Sequence, residues 1–199
     1  MSDTLTNEIP QGFYFDQKAC IGCRTCQIAC KDKNDLEVGI LFRRVVTCEV
    51  GAYPAADVYH YSSSCNHCQN PACVDVCPVK AMHVNEEDGT VQPDTSLCIG
   101  CQYCVSACPY GVPQFDEERN VSSKCDACIS LRSAGEDPAC VSSCPMRALE
   151  FGDVSVLEKN HPDGVDWFPL LPKSDQTRPS IVVRARPTAD STDFFQAIV

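Results

Sequence analysis

Cys20-Ile21-Gly22-Cys23-Arg24-Thr25-Cys26-Gln27-Ile28-Ala29-Cys30 places three cysteines in seven residues and a fourth after three more, a C-x2-C-x2-C-x3-C run. The spacing returns at Cys98, Cys101, Cys104 and Cys108, again opening Cys-Ile-Gly-Cys and now followed by Pro109. Two looser groups share the theme. Cys65, Cys68, Cys73 and Cys77 with Pro78 read C-x2-C-x4-C-x3-C-P, and Cys125, Cys128, Cys140 and Cys144 with Pro145 widen the middle gap to eleven residues. Groups two and four also share words: Asn70-Pro71-Ala72-Cys73-Val74 parallels Asp137-Pro138-Ala139-Cys140-Val141. The chain therefore reads as a duplicated pair of units.

Three thiolates in a C-x2-C-x2-C loop can wrap three corners of a 4Fe-4S cubane, with Gly22 and Gly100 easing the turns. The last cysteine of such a run, set three residues on, ligates the neighbouring cluster, the habit of bacterial two-cluster ferredoxins. Four groups then give four 4Fe-4S clusters. Zinc is the alternative, since C-x2-C knuckles also build zinc modules, but a tetrahedral ion wants two separated knuckles rather than three cysteines in seven residues. Disulfides fit poorly, because the 17 cysteines cannot all pair and no export signal marks an oxidising destination. No ligand position holds Asp, His or Trp, so every cluster is expected closed, carrying electrons with no catalytic site of its own.

With 27 acidic against 16 basic residues, the net charge of −11 repels a phosphate backbone and excludes nucleic acid as a partner. No run of 18 apolar residues occurs, and Met1 to Pro10 has neither a basic n-region nor an apolar h-region. The chain is expected neither to span a membrane nor to export itself.

Between Cys77 and Cys98, Ala81 to Pro93 gives two short β-like runs around Asp88-Gly89, the hairpin of a two-cluster unit. Groups two and three thus form an inner unit, and groups one and four an outer one. This nesting predicts that Gly12-Phe13-Tyr14-Phe15 pairs with Ala148-Leu149-Glu150-Phe151 as strands. It also predicts the ligand sets: Cys20, Cys23, Cys26 and Cys144 for cluster one; Cys30, Cys125, Cys128 and Cys140 for cluster two; Cys77, Cys98, Cys101 and Cys104 for cluster three; Cys65, Cys68, Cys73 and Cys108 for cluster four. The expected class is α+β, two nested ferredoxin units with short hairpins and helices. Residues 1–34 and 109–152 make the outer unit, 65–108 the inner, and 35–64 a β insertion carrying runs at Phe42 to Val50 and Asp57 to Tyr61. Residues 153–199 give a short helix from Asp153 to about Asn160 and an extended tail, lying on a partner or on the chain's own surface. Cys48, without a partner at metal spacing, is expected as a buried small hydrophobe, and His67 as a histidine behind the ligands or at the surface. Arg43, Arg44, Lys80 and Arg147 are candidates to offset cluster charge.

The arrangement resembles the four-cluster iron-sulfur subunit of molybdopterin oxidoreductases, and within that group the B subunits of anaerobic dimethyl sulfoxide reductases. Phe42-Arg43-Arg44, Ser64-Cys65-Asn66-His67-Cys68, Ala81-Met82-His83, Cys108-Pro109-Tyr110-Gly111-Val112-Pro113-Gln114 and Lys124-Cys125-Asp126 carry the likeness, strongest over residues 12–152. The resemblance implies a non-catalytic wire between a membrane anchor that oxidises menaquinol and a catalytic subunit holding bis-molybdopterin guanine dinucleotide. It implies an electron order from the Cys65 cluster to the Cys98 cluster, then the Cys125 cluster, then the Cys20 cluster. Relatives in nitrate reductase put tryptophan at one group-three cysteine; here all four are present. The resemblance further implies co-export with a twin-arginine partner to the extracytoplasmic face, in preference to the cytoplasmic one. A polyferredoxin serving a hydrogenase or formate-metabolising complex is the rival with the same cysteines, and a zinc-stabilised interaction module the remoter one.

Overall fold

The computed structural model describes residues 10–173 and 175–197. Residues 1–9, on which the reading of an absent export signal rests, lie outside the described residues. In chain order the elements are β1 (Gln11–Asp16), α1 (Thr25–Lys33), β2 (Arg44–Val50), β3 (Asp57–Ser63), α2 (Ala72–Asp75), β4 (Met82–Val84), β5 (Val91–Pro93), α3 (Tyr103–Ala107), β6 (Gln114–Asp116), β7 (Val121–Ser123), α4 (Ile129–Ser133), α5 (Ala139–Ser142), β8 (Leu149–Asp153), α6 (Val154–Asn160), β9 (Ile181–Arg184) and β10 (Phe194–Ala197). Small sheets and short helices make the class α+β.

Phe13-Tyr14-Phe15 is buried on both faces because β1 is the centre of a three-stranded sheet. β8 runs antiparallel on one side, with Phe13 opposite Phe151 and Phe15 opposite Leu149, which is the pairing the nested groups predict. β9 runs parallel on the other, with Phe13 opposite Ile181 and Phe15 opposite Val183. Alternation along β1 then assigns the faces. Tyr14 meets Val154, Leu157 and Val182 under α6, whose first turn is capped by the Asp153 carboxylate accepting the Ser155 N–H at 2.8 Å. Phe13 and Phe15 turn to the main core, where Cys26, Cys30, Cys65, Cys125, Cys140 and Cys144 are also buried. Gly12 permits the close approach of β9, since a Cβ there would meet the Ser180 carbonyl oxygen.

The β-like runs of the insertion form the β2–β3 hairpin, with Cys48 fully buried opposite Tyr59. The expected hairpin of the inner unit is β4–β5, Val84 facing Val91. One hairpin went unread in the sequence: β6 and β7 pair between groups three and four. Of the two places open to the tail, it takes the chain's own surface, β9 joining β1 and β10 pairing along β2, while Phe168 stacks edge-on against Tyr61 at 5.1 Å. Arg132 joins the β4–β5 turn to β8, pairing with Asp88 at 2.7 Å and lying over the Phe151 ring at 4.8 Å.

Candidate metal centres

Each cysteine loop bends through left-handed backbone at matching places. Gly22 and Arg24 have φ of 69° and 62°, and Gly100 and Gln102 repeat them at 70° and 60°. In groups two and four, His67 matches Ala127 (42° and 53°) and Lys80 matches Arg147 (56° and 51°). Left-handed backbone costs a non-glycine residue about 1–2 kcal/mol, so its recurrence marks a geometry the loops are built to hold. The gain is N–H groups aimed at sulfur. The His67 and Ala127 N–H groups donate to the Cys65 and Cys125 Sγ atoms, both at 3.4 Å. The Met82 and Ala148 N–H groups reach the Cys77 and Cys144 Sγ atoms at 3.5 and 3.3 Å, and the Ser122 N–H reaches the Cys98 Sγ at 3.3 Å.

The cysteines gather in four sets. One cavity is lined by Cys65, Cys68, Cys73 and Cys108, and a second by Cys77, Cys98, Cys101 and Cys104. In both, the fourth cysteine crosses over from the other group. Among groups one and four, Cys20 lies among Cys23, Cys26 and Cys144, and Cys30 lies among Cys128 and Cys140, with Cys125 beside Cys30 and Cys140. All 17 thiols are free, and among the described residues no three His, Cys, Asp or Glu side chains converge on a point where one ion would sit. Cysteines that ring a cavity suit a polynuclear cluster better than a tetrahedral ion.

Burial, reinforced by neighbouring thiols, pushes the Cys68 thiol up to about 12 and the Cys125 thiol well above its usual value. Burial likewise pushes Cys30 and Cys73 up to about 12, where Arg43 and Lys124 respectively work against it. Sites this crowded need cations to hold four thiolates, which is what iron supplies when a cluster is bound. Of the four basic residues singled out in the sequence, Arg44, Lys80 and Arg147 are exposed and Arg43 is buried. Lys124, which was not singled out as a charge, is equally buried, its Nζ donating to the Val91 and Cys125 carbonyls. His67 is buried rather than superficial, its Nδ1 accepting the Val91 N–H at 3.1 Å.

The sets stand in a series whose order corrects the one carried over by resemblance. After its own-set neighbour Cys30, the Cys125 thiol next feels Cys65, not a member of the Cys98 set. Cys65 shares the main core with Cys26, Cys30 and Cys125, whereas Cys73 packs with Cys104 and Cys77 in a separate small core. The Cys65 set therefore bridges the two cores, and the Cys98 set is terminal. The series runs Cys98 set, Cys65 set, Cys125 set, Cys20 set. Its two end sets each contain an exposed cysteine, Cys101 and Cys23, and every cysteine of the Cys125 set is buried.

Residues 56–154 match the 4Fe-4S dicluster domain family, and residues 17–34 the 4Fe-4S binding domain family. Over 195 residues the sequence is 44% identical to the B chain of the anaerobic dimethyl sulfoxide reductase of Escherichia coli K12, covering 92% of this chain and 94% of that one. It belongs to this B-chain family. Its cofactors are accordingly 4Fe-4S clusters, and its work is electron transfer within an oxidoreductase complex. The family likeness extends to the thiosulfate reductase electron transfer subunit of Salmonella typhi, 45% identical over 72% of this chain and 76% of that one. The B subunit of the sulfite dehydrogenase of Allochromatium vinosum is 38% identical over 70% and 67% respectively. No helix among the described residues of this B-chain relative is long and apolar enough to cross a membrane.

Proposed function

We propose that this chain is the non-catalytic electron-transfer subunit of a membrane-associated respiratory complex, passing single electrons through four 4Fe-4S clusters from a quinol-oxidising anchor to a molybdopterin catalytic subunit. The observation that carries the proposal is the series of four cysteine sets, with an exposed cysteine in each end set and none in the two sets between them. Such a layout insulates electrons in transit and opens where they enter and leave.

Cys77, Cys98, Cys101 and Cys104 receive electrons, and Cys65, Cys68, Cys73 and Cys108 pass them to Cys30, Cys125, Cys128 and Cys140. Cys20, Cys23, Cys26 and Cys144 deliver them. The nested units, outer residues 1–34 and 109–152 around inner residues 65–108, keep the clusters of each pair adjacent. A quinol releases two electrons and two protons at the anchor, and the electrons cross this chain one at a time. Relatives named for dimethyl sulfoxide, thiosulfate and sulfite support leaving substrate choice to the catalytic subunit. We place the complex on the extracytoplasmic face, reached by export with a twin-arginine partner.

Elemental analysis of the native assembly, captured anaerobically through this chain from detergent-solubilised membranes, tests the reading. Iron with molybdenum or tungsten is the expected result. Iron with neither would move the chain to a hydrogenase or formate-metabolising complex, and zinc without iron would overturn the cluster assignment.

A further inference from the structure

A guanidinium stripped of water needs compensating charge or a full set of hydrogen bonds, and leaving it without them costs several kcal/mol. Arg43 is only 1% exposed, and no carboxylate among the described residues lies within ion-pair distance of it. One edge is anchored: Nη1 donates to the Ser62 carbonyl and to the Ser62 Oγ, both at 3.0 Å. The flat face lies over the Phe13 ring, 4.5 Å from its centroid. Nε and Nη2 are buried with no hydrogen-bond partner among the described residues. Burial works against the charge of Arg43, and the sulfurs of Cys140, Cys125, Cys26 and Cys30, members of both outer sets, favour it. Ser62 extends the contact, since its Oγ lies 3.4 Å from the Cys26 Sγ.

We propose that Arg43 is a potential-setting residue: a fixed positive charge at the join of the Cys20 and Cys125 clusters that raises the reduction potential of both. The proposal rests on the cluster reading above. Reduction adds one negative charge to a cluster, and a buried cation beside it favours that charge strongly where water is excluded. The free Nε–H and Nη2–H groups are the donors left for cluster or thiolate sulfur, and hydrogen bonds to sulfur raise potentials in the same direction. The effect falls most strongly on these two sets. It makes the two sets at the delivery end more oxidising than they would be without it.

The test is an anaerobic redox titration of the intact complex followed by electron paramagnetic resonance, on wild type, Arg43→Gln, Arg43→Lys and Ser62→Ala. Arg43→Gln should lower the reduction equilibrium constants of the Cys20 and Cys125 clusters at least tenfold, about 59 mV for one electron. The Cys98 cluster should stay put, and Arg43→Lys should keep most of the wild-type potential. Unchanged potentials in Arg43→Gln, an equal shift of all four clusters, or a lysine variant as low as the glutamine one would each overturn the proposal. Where Arg43→Gln loses iron, Ser62→Ala decides. It keeps the charge and the Ser62 carbonyl that anchors Nη1 but removes the Oγ that joins Nη1 to the Cys26 Sγ, so with iron content intact the Cys20 potential should fall while the Cys125 potential holds, and an unmoved Cys20 potential refutes the assignment. A wild-type complex without cluster signals would instead remove the cluster reading itself.

Discussion

Replacing Phe168 by alanine asks whether the C-terminal arm is part of the core that holds the outer clusters. Phe168 is fully buried, and its ring stands 5.1 Å from Tyr61, which stands 5.7 Å from Phe15 of β1. Truncating a buried phenylalanine costs about 3–5 kcal/mol, of which an edge-to-face contact accounts for about 0.5–1.5 kcal/mol. Taking about 4 kcal/mol and a urea slope of about 2 kcal/mol per molar, the unfolding midpoint should fall by about 2 M. Loss of cluster absorbance in anaerobic urea supplies the readout, because the ladder from Phe168 to Phe15 borders the same core as Cys26 and Cys30. Trp167→Ala is the internal control. That neighbour is 38% exposed and held by one hydrogen bond from Nε1 to the Leu171 carbonyl at 2.9 Å, so its removal should cost less than about 2 kcal/mol. Equal midpoints for the two variants would refute the claim that the arm completes the core.

Cys30→Ser should abolish the signal of the cluster shared with Cys125, Cys128 and Cys140 and remove about a quarter of the iron, while the Cys20 signal survives; loss of the Cys20 signal instead would break the crossover scheme. Gly22→Ala places a Cβ 2.5 Å from the His60 ring at φ +69°, whereas Gly111→Ala at φ +60° meets nothing within 4 Å. The first should lose about 1–3 kcal/mol more than the second in thermal stability, and parity between them would show that His60 moves aside freely. Extracting iron with a chelator under reductant should collapse near-ultraviolet circular dichroism, since crowded buried thiols and left-handed loops lose their compensation; a retained spectrum would mean that the protein core alone holds the fold.

Cysteine spacing made the loops, the gathering of Cys108 with the Cys65 group and of Cys77 with the Cys98 group, and the β1–β8 pairing legible, because each is decided within a dozen residues or by symmetry between groups. The β4–β5 hairpin and α6 were legible for the same reason, through Asp88-Gly89 and the Asp153 cap. What stayed hidden is non-local. Ile181-Val182-Val183 reads as an apolar arm, and nothing nearby in the chain says that its parallel partner is β1, about 170 residues earlier. The β6–β7 strands are too short, three residues each, to announce themselves by alternation. The order of the inner sets depends on which of two similar groups faces the outer unit, a matter of packing that spacing leaves undetermined. Arg43 and Lys124 look like any other basic residues until their burial is known.

Cys23 and Cys101 lie open at the two ends of the series. Access that serves an electron partner serves molecular oxygen equally well, because an oxidant needs no docking surface. The isolated chain should therefore corrode from its tips inward, the Cys20 and Cys98 clusters bleaching before the enclosed Cys125 cluster. In the proposed complex, assembly with the catalytic and anchor subunits would act as a seal as well as a circuit, and a chain made in excess of its partners would be the first iron-sulfur casualty when air returns.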